Sequence, residues 1–150
     1  MTNEAAVLST AMSIASNAHR YQFDKGGKPY ILHPIRVMIA LNTNDLLLMA
    51  TAVLHDVIED TDITYTDLLT KGIDIRVVQA LEYLTHEKGT PYSEYIRNIA
   101  CDSYATRVKI EDLRDNSDIT RLKGITIKDT ERMQKYHAAY LYLTGDNSDY

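Results

Sequence analysis

The sequence predicts an all-α fold, an orthogonal bundle of seven or eight helices or something close to it. Three observations predict it. Apolar residues recur at spacings of three and four. Residues that cap helices stand just ahead of several of these stretches. Strand evidence is confined to Ile125–Ile127, which is too short to count. A chain of 150 residues is the size of one domain. Residues 1–150 are therefore read as a single domain, long enough to bury a core without staples.

Residues 4–19 carry Leu8, Ala11, Met12, Ala15 and Ala18 on one helical face. The stretch FDKGGKPYILHP breaks that pattern, because Gly26, Gly27 and Pro29 demand a loop. Pro34 suits the first turn of a helix running to about Leu41. Asp45 caps a helix from Leu46 to about Ile58. Thr64 and Asp67 form a capping-box pair that opens a short helix stopping at Gly72. Asp74 starts a helix to about Leu84, and Ser93 caps one ending near Cys101. Residues 103–117 form a further helix. Thr126 and Asp129 open the last, which ends at Gly145.

Composition excludes several functions. The lone Cys101 rules out an internal disulfide and suits a reducing cytosol. No basic and apolar signal opens the chain, so a cytoplasmic location is expected. The apolar run Leu46–Leu54 is too short to span a bilayer, so no membrane partner is expected. A net charge of −5 with no run of Lys or Arg disfavours broad binding to nucleic acid, while leaving room for a local basic pocket.

The chemistry concentrates in LHDVIED, where His55, Asp56, Glu59 and Asp60 fall directly after that apolar run. His55 and Glu59 lie four apart on a helix, as do Asp56 and Asp60. Adjacent residues point about 100° apart, so His55 and Asp56 reach one point only near a helix end or kink. An acidic helix end is usually a solvated face. Carboxylates at a helix C-terminus, however, oppose the macrodipole by roughly 0.3–1 kcal/mol each and call for a cation. His33, before Pro34, and Asp112, in KIEDLRDN, are further candidates. Two imidazoles and two carboxylates suit a borderline-to-hard divalent ion: Mn²⁺, Fe²⁺, Zn²⁺ or Mg²⁺. Such an ion acidifies a bound water into a nucleophile. Glu59 and Asp60 are then spare acids to orient that water or move its proton.

The segments AHRYQFDKGGKPYILHP, VLHDVIEDTDIT and VKIEDLRDN occur in the order, and at the approximate spacing, seen in HD-superfamily hydrolases. Across residues 5–143 the chain resembles the hydrolase domain of Rel/SpoT-type alarmone enzymes in its stand-alone small form, like the metazoan SpoT homologues. The resemblance implies an HD-domain orthogonal helical bundle. It implies metal ligands His33, His55, Asp56 and Asp112 with one Mn²⁺, and Glu59 and Asp60 as the catalytic pair that activates water. Lys25, Asn116, Arg132 and Tyr136 match substrate-contacting positions, with Lys88 a weaker candidate for phosphate. The implied reaction removes the 3′-pyrophosphate from (p)ppGpp, giving GDP or GTP and pyrophosphate. The substrate is then a small nucleotide, and functional pairing with an alarmone synthetase follows. Asp24 departs from the family pattern, which commonly has Arg there against the nucleobase. A carboxylate does not stack as a guanidinium does. The alternatives are therefore (p)ppApp, a 3′-phosphorylated dinucleotide such as NADPH, or another HD-type nucleotide phosphohydrolase reaction.

Overall fold

A computed structural model describes residues 3–146 and 150, and its described residues form nine α-helices. They are α1 (Asn3–Ala18), α2 (Leu32–Ala40), α3 (Leu46–Leu54), α4 (Val57–Asp60), α5 (Tyr65–Thr70), α6 (Ile75–Leu84), α7 (Tyr92–Ile99), α8 (Ser103–Asn116) and α9 (Ile127–Leu143). A single 3-10 turn, Ile119–Arg121, joins α8 to α9. Ile125–Ile127 form no strand; the β pairing among the described residues is one isolated bridge, Phe23 to Pro29.

The caps work as their residue types dictate. Asp45 accepts from the Leu48 N–H, and Asp74 from the Arg76 N–H. Thr64 with Asp67 and Thr126 with Asp129 both close full capping boxes. One expectation needs correction: α7 starts at Tyr92 after Pro91, so Ser93 lies inside the helix and does not cap it. Proline fixes its own φ and suits a helix entrance, which moves the start forward.

The middle of the bundle is α3. Its sequence LLLMATAVL is apolar nearly all round, and Leu48, Ala50, Thr51, Ala52, Val53 and Leu54 are buried. Helices α1, α2, α6 and α8 pack around it. Burying Leu48 and Leu54 contributes about 1.5–3 kcal/mol each. The face α1 turns to α3 differs slightly from the expected one. Val7, Ala11, Ile14 and Ala15 are buried, whereas Met12 is 39% exposed. Both stripes share Ala11 and Ala15; the β-branched Val7 and Ile14 decide which one packs inward.

The expected helix over 46–58 is interrupted. It stops at Leu54, and the chain restarts as α4 at Val57, with Asp56 at φ −105°, ψ −1° between them. That backbone lies in the sparsely populated bridge region. The interruption is the kink that His55 and Asp56 need in order to face one point.

Candidate metal centre and its cleft

Three elements meet at one point. The first turn of α2 carries His33, the α3–α4 break carries His55 and Asp56, and α8 carries Asp112. One ligand atom from each of these four residues lies within 4.8 Å of all the others. His33 Nε2 is 2.9 Å from Asp112 Oδ1, 3.2 Å from His55 Nε2 and 3.6 Å from Asp56 Oδ2. His55 Nε2 is 3.0 Å from Asp56 Oδ2 and 3.2 Å from Asp112 Oδ1. His33, His55 and Asp112 are buried, and Asp56 is nearly so.

The outer hydrogen bonds decide what faces inward. His55 Nδ1 lies 2.7 Å from the Ala52 carbonyl, which only accepts, so Nδ1 carries the proton. His33 Nδ1 donates to Asp115 Oδ2 at 2.6 Å. Each Nε2 then faces the other and two carboxylate oxygens, where it either carries a second proton or gives its lone pair to an ion. With both imidazoles neutral, four acceptors stand in close quarters, and a cation reconciles them. Ligands at about 2.0–2.2 Å from a shared ion stand about this far from one another. The residues therefore fit a divalent ion, with a nitrogen and oxygen donor set of borderline-to-hard character.

The two carboxylates favour positive charge at this point, whether a proton or a metal ion. Burial disfavours a charged His55, but Asp56 and Asp112 outweigh it and hold the imidazole well above its usual 6.5. Burial likewise works against charge on Asp56, yet His55 draws its carboxyl down to about 2. Asp112 is held well below the carboxylate range, against burial, by Lys109 and His55. Lys109 Nζ donates to Asp112 Oδ2 at 2.7 Å, leaving Oδ1 for the cluster. The Tyr30 hydroxyl donates to Asp56 Oδ2. Burial and the Asp56 charge raise that hydroxyl far above its usual 10, so it remains a donor.

Beside the cluster lies a cleft of about 330 Å³. His33 belongs to both, so the cluster adjoins the cleft. Lys25, Asn116, Arg132 and Tyr136 line it, together with Asp24. Arg36 and Arg121 also line it, so four cationic side chains stand there against the carboxylates of Asp24 and Asp118. Asn116 Nδ2 donates to Asp112 Oδ1 at 2.9 Å, and Arg132 is paired with Asp129. Asp24 Oδ1 accepts the Lys28 N–H at 2.9 Å, which ties that carboxylate into its own loop. The loop can approach Arg121 because residue 26 is glycine: a Cβ there would lie 2.6 Å from the Arg121 carbonyl oxygen. Gly27 supplies the left-handed turn, with φ +82°.

Glu59 and Asp60 lie outside that lining, though Asp60 is near enough to Asp56 and His55 to feel their charges. Both residues are exposed overall, though the Asp60 carboxyl is partly shielded from water. Glu59 Oε1 accepts the His86 N–H at 2.6 Å, and the Asp60 carbonyl accepts from Gln22 Nε2 at 2.9 Å. Burial, with the charges of Asp56 and Glu59, pushes the Asp60 carboxyl up to about 6. Lys88 is exposed and away from the cleft. Sequence reasoning missed Tyr30, Arg36, Lys109, Asp115 and Arg121. The first four had a signal: each sits three residues from a candidate ligand, Tyr30 and Arg36 on either side of His33, and Lys109 and Asp115 on either side of Asp112. Arg121 had none, because the 3-10 turn that carries it was not predicted.

A helical bundle that gathers two histidines and two aspartates beside a cleft has the architecture of the HD-type metal hydrolases. Comparison narrows the class. No family model matches the chain. The guanosine-3′,5′-bis(diphosphate) 3′-pyrophosphohydrolase MESH1 of Danio rerio is 32% identical over 121 residues, 73% of this chain and 67% of that protein. The Mus musculus protein of the same name is 38% identical over 101 residues, 63% of this chain and 55% of its own length. A solved structure, described as a metazoan ortholog of SpoT that hydrolyzes ppGpp, superposes with a TM-score of 0.79 at 26% identity, covering 99% of this chain and 92% of that one. The chain belongs to the MESH1 family of guanosine-3′,5′-bis(diphosphate) 3′-pyrophosphohydrolases. It spans about half the length of the mammalian relative it matches. No helix among the described residues is long and apolar enough to cross a membrane.

Proposed function

We propose that this chain is a metal-dependent pyrophosphohydrolase that removes the 3′-pyrophosphate from guanosine alarmones, converting (p)ppGpp to GDP or GTP and pyrophosphate. The observation that carries the reading is the junction of the four-ligand cluster with a cleft whose lining is cationic on a chain of net charge −5. Relatives named for this reaction support it. His33, His55, Asp56 and Asp112 would hold one ion, for which we propose Mn²⁺. When bound, the ion supplies an acidified water nucleophile and neutralises charge on the reacting phosphate.

The rest falls to the chain's own residues. Water attacks the phosphorus bonded to the ribose 3′-oxygen. The bond from that oxygen to phosphorus breaks, the water oxygen leaves in pyrophosphate, and a proton passes to the 3′-oxygen. Glu59 and Asp60 are proposed to orient the water and take its proton. An Asp60 carboxyl at about 6 is better matched to that task near neutral pH than an ordinary one. Lys25 and Arg132 offset phosphate charge, Asn116 contacts the nucleotide, and Tyr136 forms the wall beside it. We place the enzyme in the cytoplasm, where an alarmone synthetase would supply its substrate.

Asp24 on the cleft wall favours keeping a second reading: the same chemistry on (p)ppApp or on NADPH. The test compares kcat/KM for ppGpp, ppApp and NADPH with Mn²⁺, identifying the released group. Pyrophosphate from ppGpp with the highest kcat/KM supports the main reading. Preference for ppApp or NADPH supports the second. Orthophosphate or a 5′-monophosphate from ppGpp would replace both with a different nucleotide hydrolase.

A further inference from the structure

One carboxylate is shared between the metal cluster and the cleft. Asp115 Oδ2 receives the His33 Nδ1–H at 2.6 Å. The same carboxylate takes Arg36 through Nε at 2.9 Å and a terminal nitrogen at 3.0 Å, in the two-pronged geometry that guanidinium favours. Arg121 reaches it at 3.3 and 3.4 Å. The Asp115 side chain is only 13% exposed, so its charge is little screened by water. Arg36 and Arg121 both line the cleft.

We infer that Asp115 is a positioning residue that couples ion binding at His33 to anion binding at Arg36 and Arg121. The inference rests on the metal reading of the four-residue cluster. A carboxylate on the outer nitrogen of an imidazole fixes its tautomer and raises its donor strength toward an ion. Guanidinium groups on that carboxylate compete for the same negative charge. A phosphate group in the cleft draws on Arg36 and Arg121, so more of the Asp115 charge falls on His33 and the ion is held more tightly. Linkage makes the effect mutual: a bound ion strengthens anion binding by the same factor. The arrangement thereby favours simultaneous occupation by metal and polyanion.

The test is calorimetric titration of Mn²⁺ into the metal-stripped full chain, which reads affinity without turnover. Asp115→Asn keeps an acceptor but removes the charge, and should weaken Mn²⁺ about 10- to 100-fold. Arg36→Met should do the opposite, tightening Mn²⁺ about fivefold, the low end of ordinary coupling. Arg121→Met should act in the same direction as Arg36→Met. A purely structural role for the network gives no reason for opposite signs. Sodium sulfate, against sodium chloride at matched ionic strength, should tighten Mn²⁺ on the wild type and not on the Arg36→Met, Arg121→Met double variant. Were Asp115→Asn not to fold, the arginine variants decide alone. Unchanged or weaker Mn²⁺ binding in them overturns the inference, as does wild-type affinity in a folded Asp115→Asn. A wild-type chain that takes up no Mn²⁺ overturns the metal reading and this inference with it.

Discussion

Asp56→Asn is the substitution that most cleanly separates metal binding from folding. Asparagine has nearly the shape of aspartate, and its carbonyl still accepts the Tyr30 hydroxyl that Asp56 accepts now. The metal-free fold should therefore persist. The cluster, however, loses one of its two anionic donors. An ion present at one hundred times its Kd stabilises the wild type by about 2.7 kcal/mol. For a chain of this size each kcal/mol moves Tm by about 2–4 °C, so Mn²⁺ should raise the wild-type Tm by about 5–11 °C. If the variant binds ~100-fold more weakly, the same Mn²⁺ concentration stabilises it by only about 0.4 kcal/mol, or about 1–2 °C. Scanning calorimetry of both proteins, with Mn²⁺ and with a chelator, reads all four values. An Asp56→Asn protein that keeps the full wild-type shift refutes the assignment of Asp56 as a ligand, and a wild type with no shift refutes the site.

Proton linkage gives a second expectation. His55 is raised above 6.5 by Asp56 and Asp112, so the metal-free protein's stability from this group is complete below pH 6.5 and falls as pH rises through the raised value. Mn²⁺ must displace that proton, so the Mn²⁺-induced rise in Tm should grow from pH 6 to pH 8; a shift independent of pH contradicts it. Glu59→Gln should bind Mn²⁺ as the wild type does while kcat falls about 10²- to 10⁴-fold, the range for a general base; full activity removes Glu59 from the reaction. Asp24→Arg should raise kcat/KM for ppGpp relative to ppApp, and an unchanged ratio shows that Asp24 does not read the base. Gly26→Ala pushes a methyl group against the Arg121 carbonyl and should cost about 1–3 kcal/mol in chemical denaturation while raising KM; a neutral variant would mean that the loop yields freely.

Much of this molecule is legible in the sequence, for identifiable reasons. Capping pairs such as Thr64–Asp67 and Thr126–Asp129 act within four residues, so their outcome is local and the helix starts follow. The apolar run of α3 announces the middle of the bundle, and the His-Asp pair after it demands a kink that the chain provides. The α1 face was less legible, because two stripes share Ala11 and Ala15 and only packing against α3 chooses Val7 and Ile14 over Met12. The candidate ligands were readable as residue types that a divalent ion needs, but the residues around them were not. Asp115 reaches His33 across 82 positions of chain, and Arg36 reaches Asp115 across 79. No local rule pairs residues so far apart; the pairing exists only once α2 and α8 are packed together. Arg121 depends further on a 3-10 turn and on the absent side chain of Gly26.

If a single ion gripped by His33, His55, Asp56 and Asp112 makes this chain a pyrophosphohydrolase, turnover must follow occupancy of that site. The measurement that tests this most directly is a titration of the metal-stripped chain with Mn²⁺ while pyrophosphate released from ppGpp is followed. No release is expected before metal is added, then a rise that breaks at one Mn²⁺ per chain, with pyrophosphate as the sole phosphorus product besides GDP. Activity in the stripped chain, a break at two equivalents, or orthophosphate in place of pyrophosphate would contradict it.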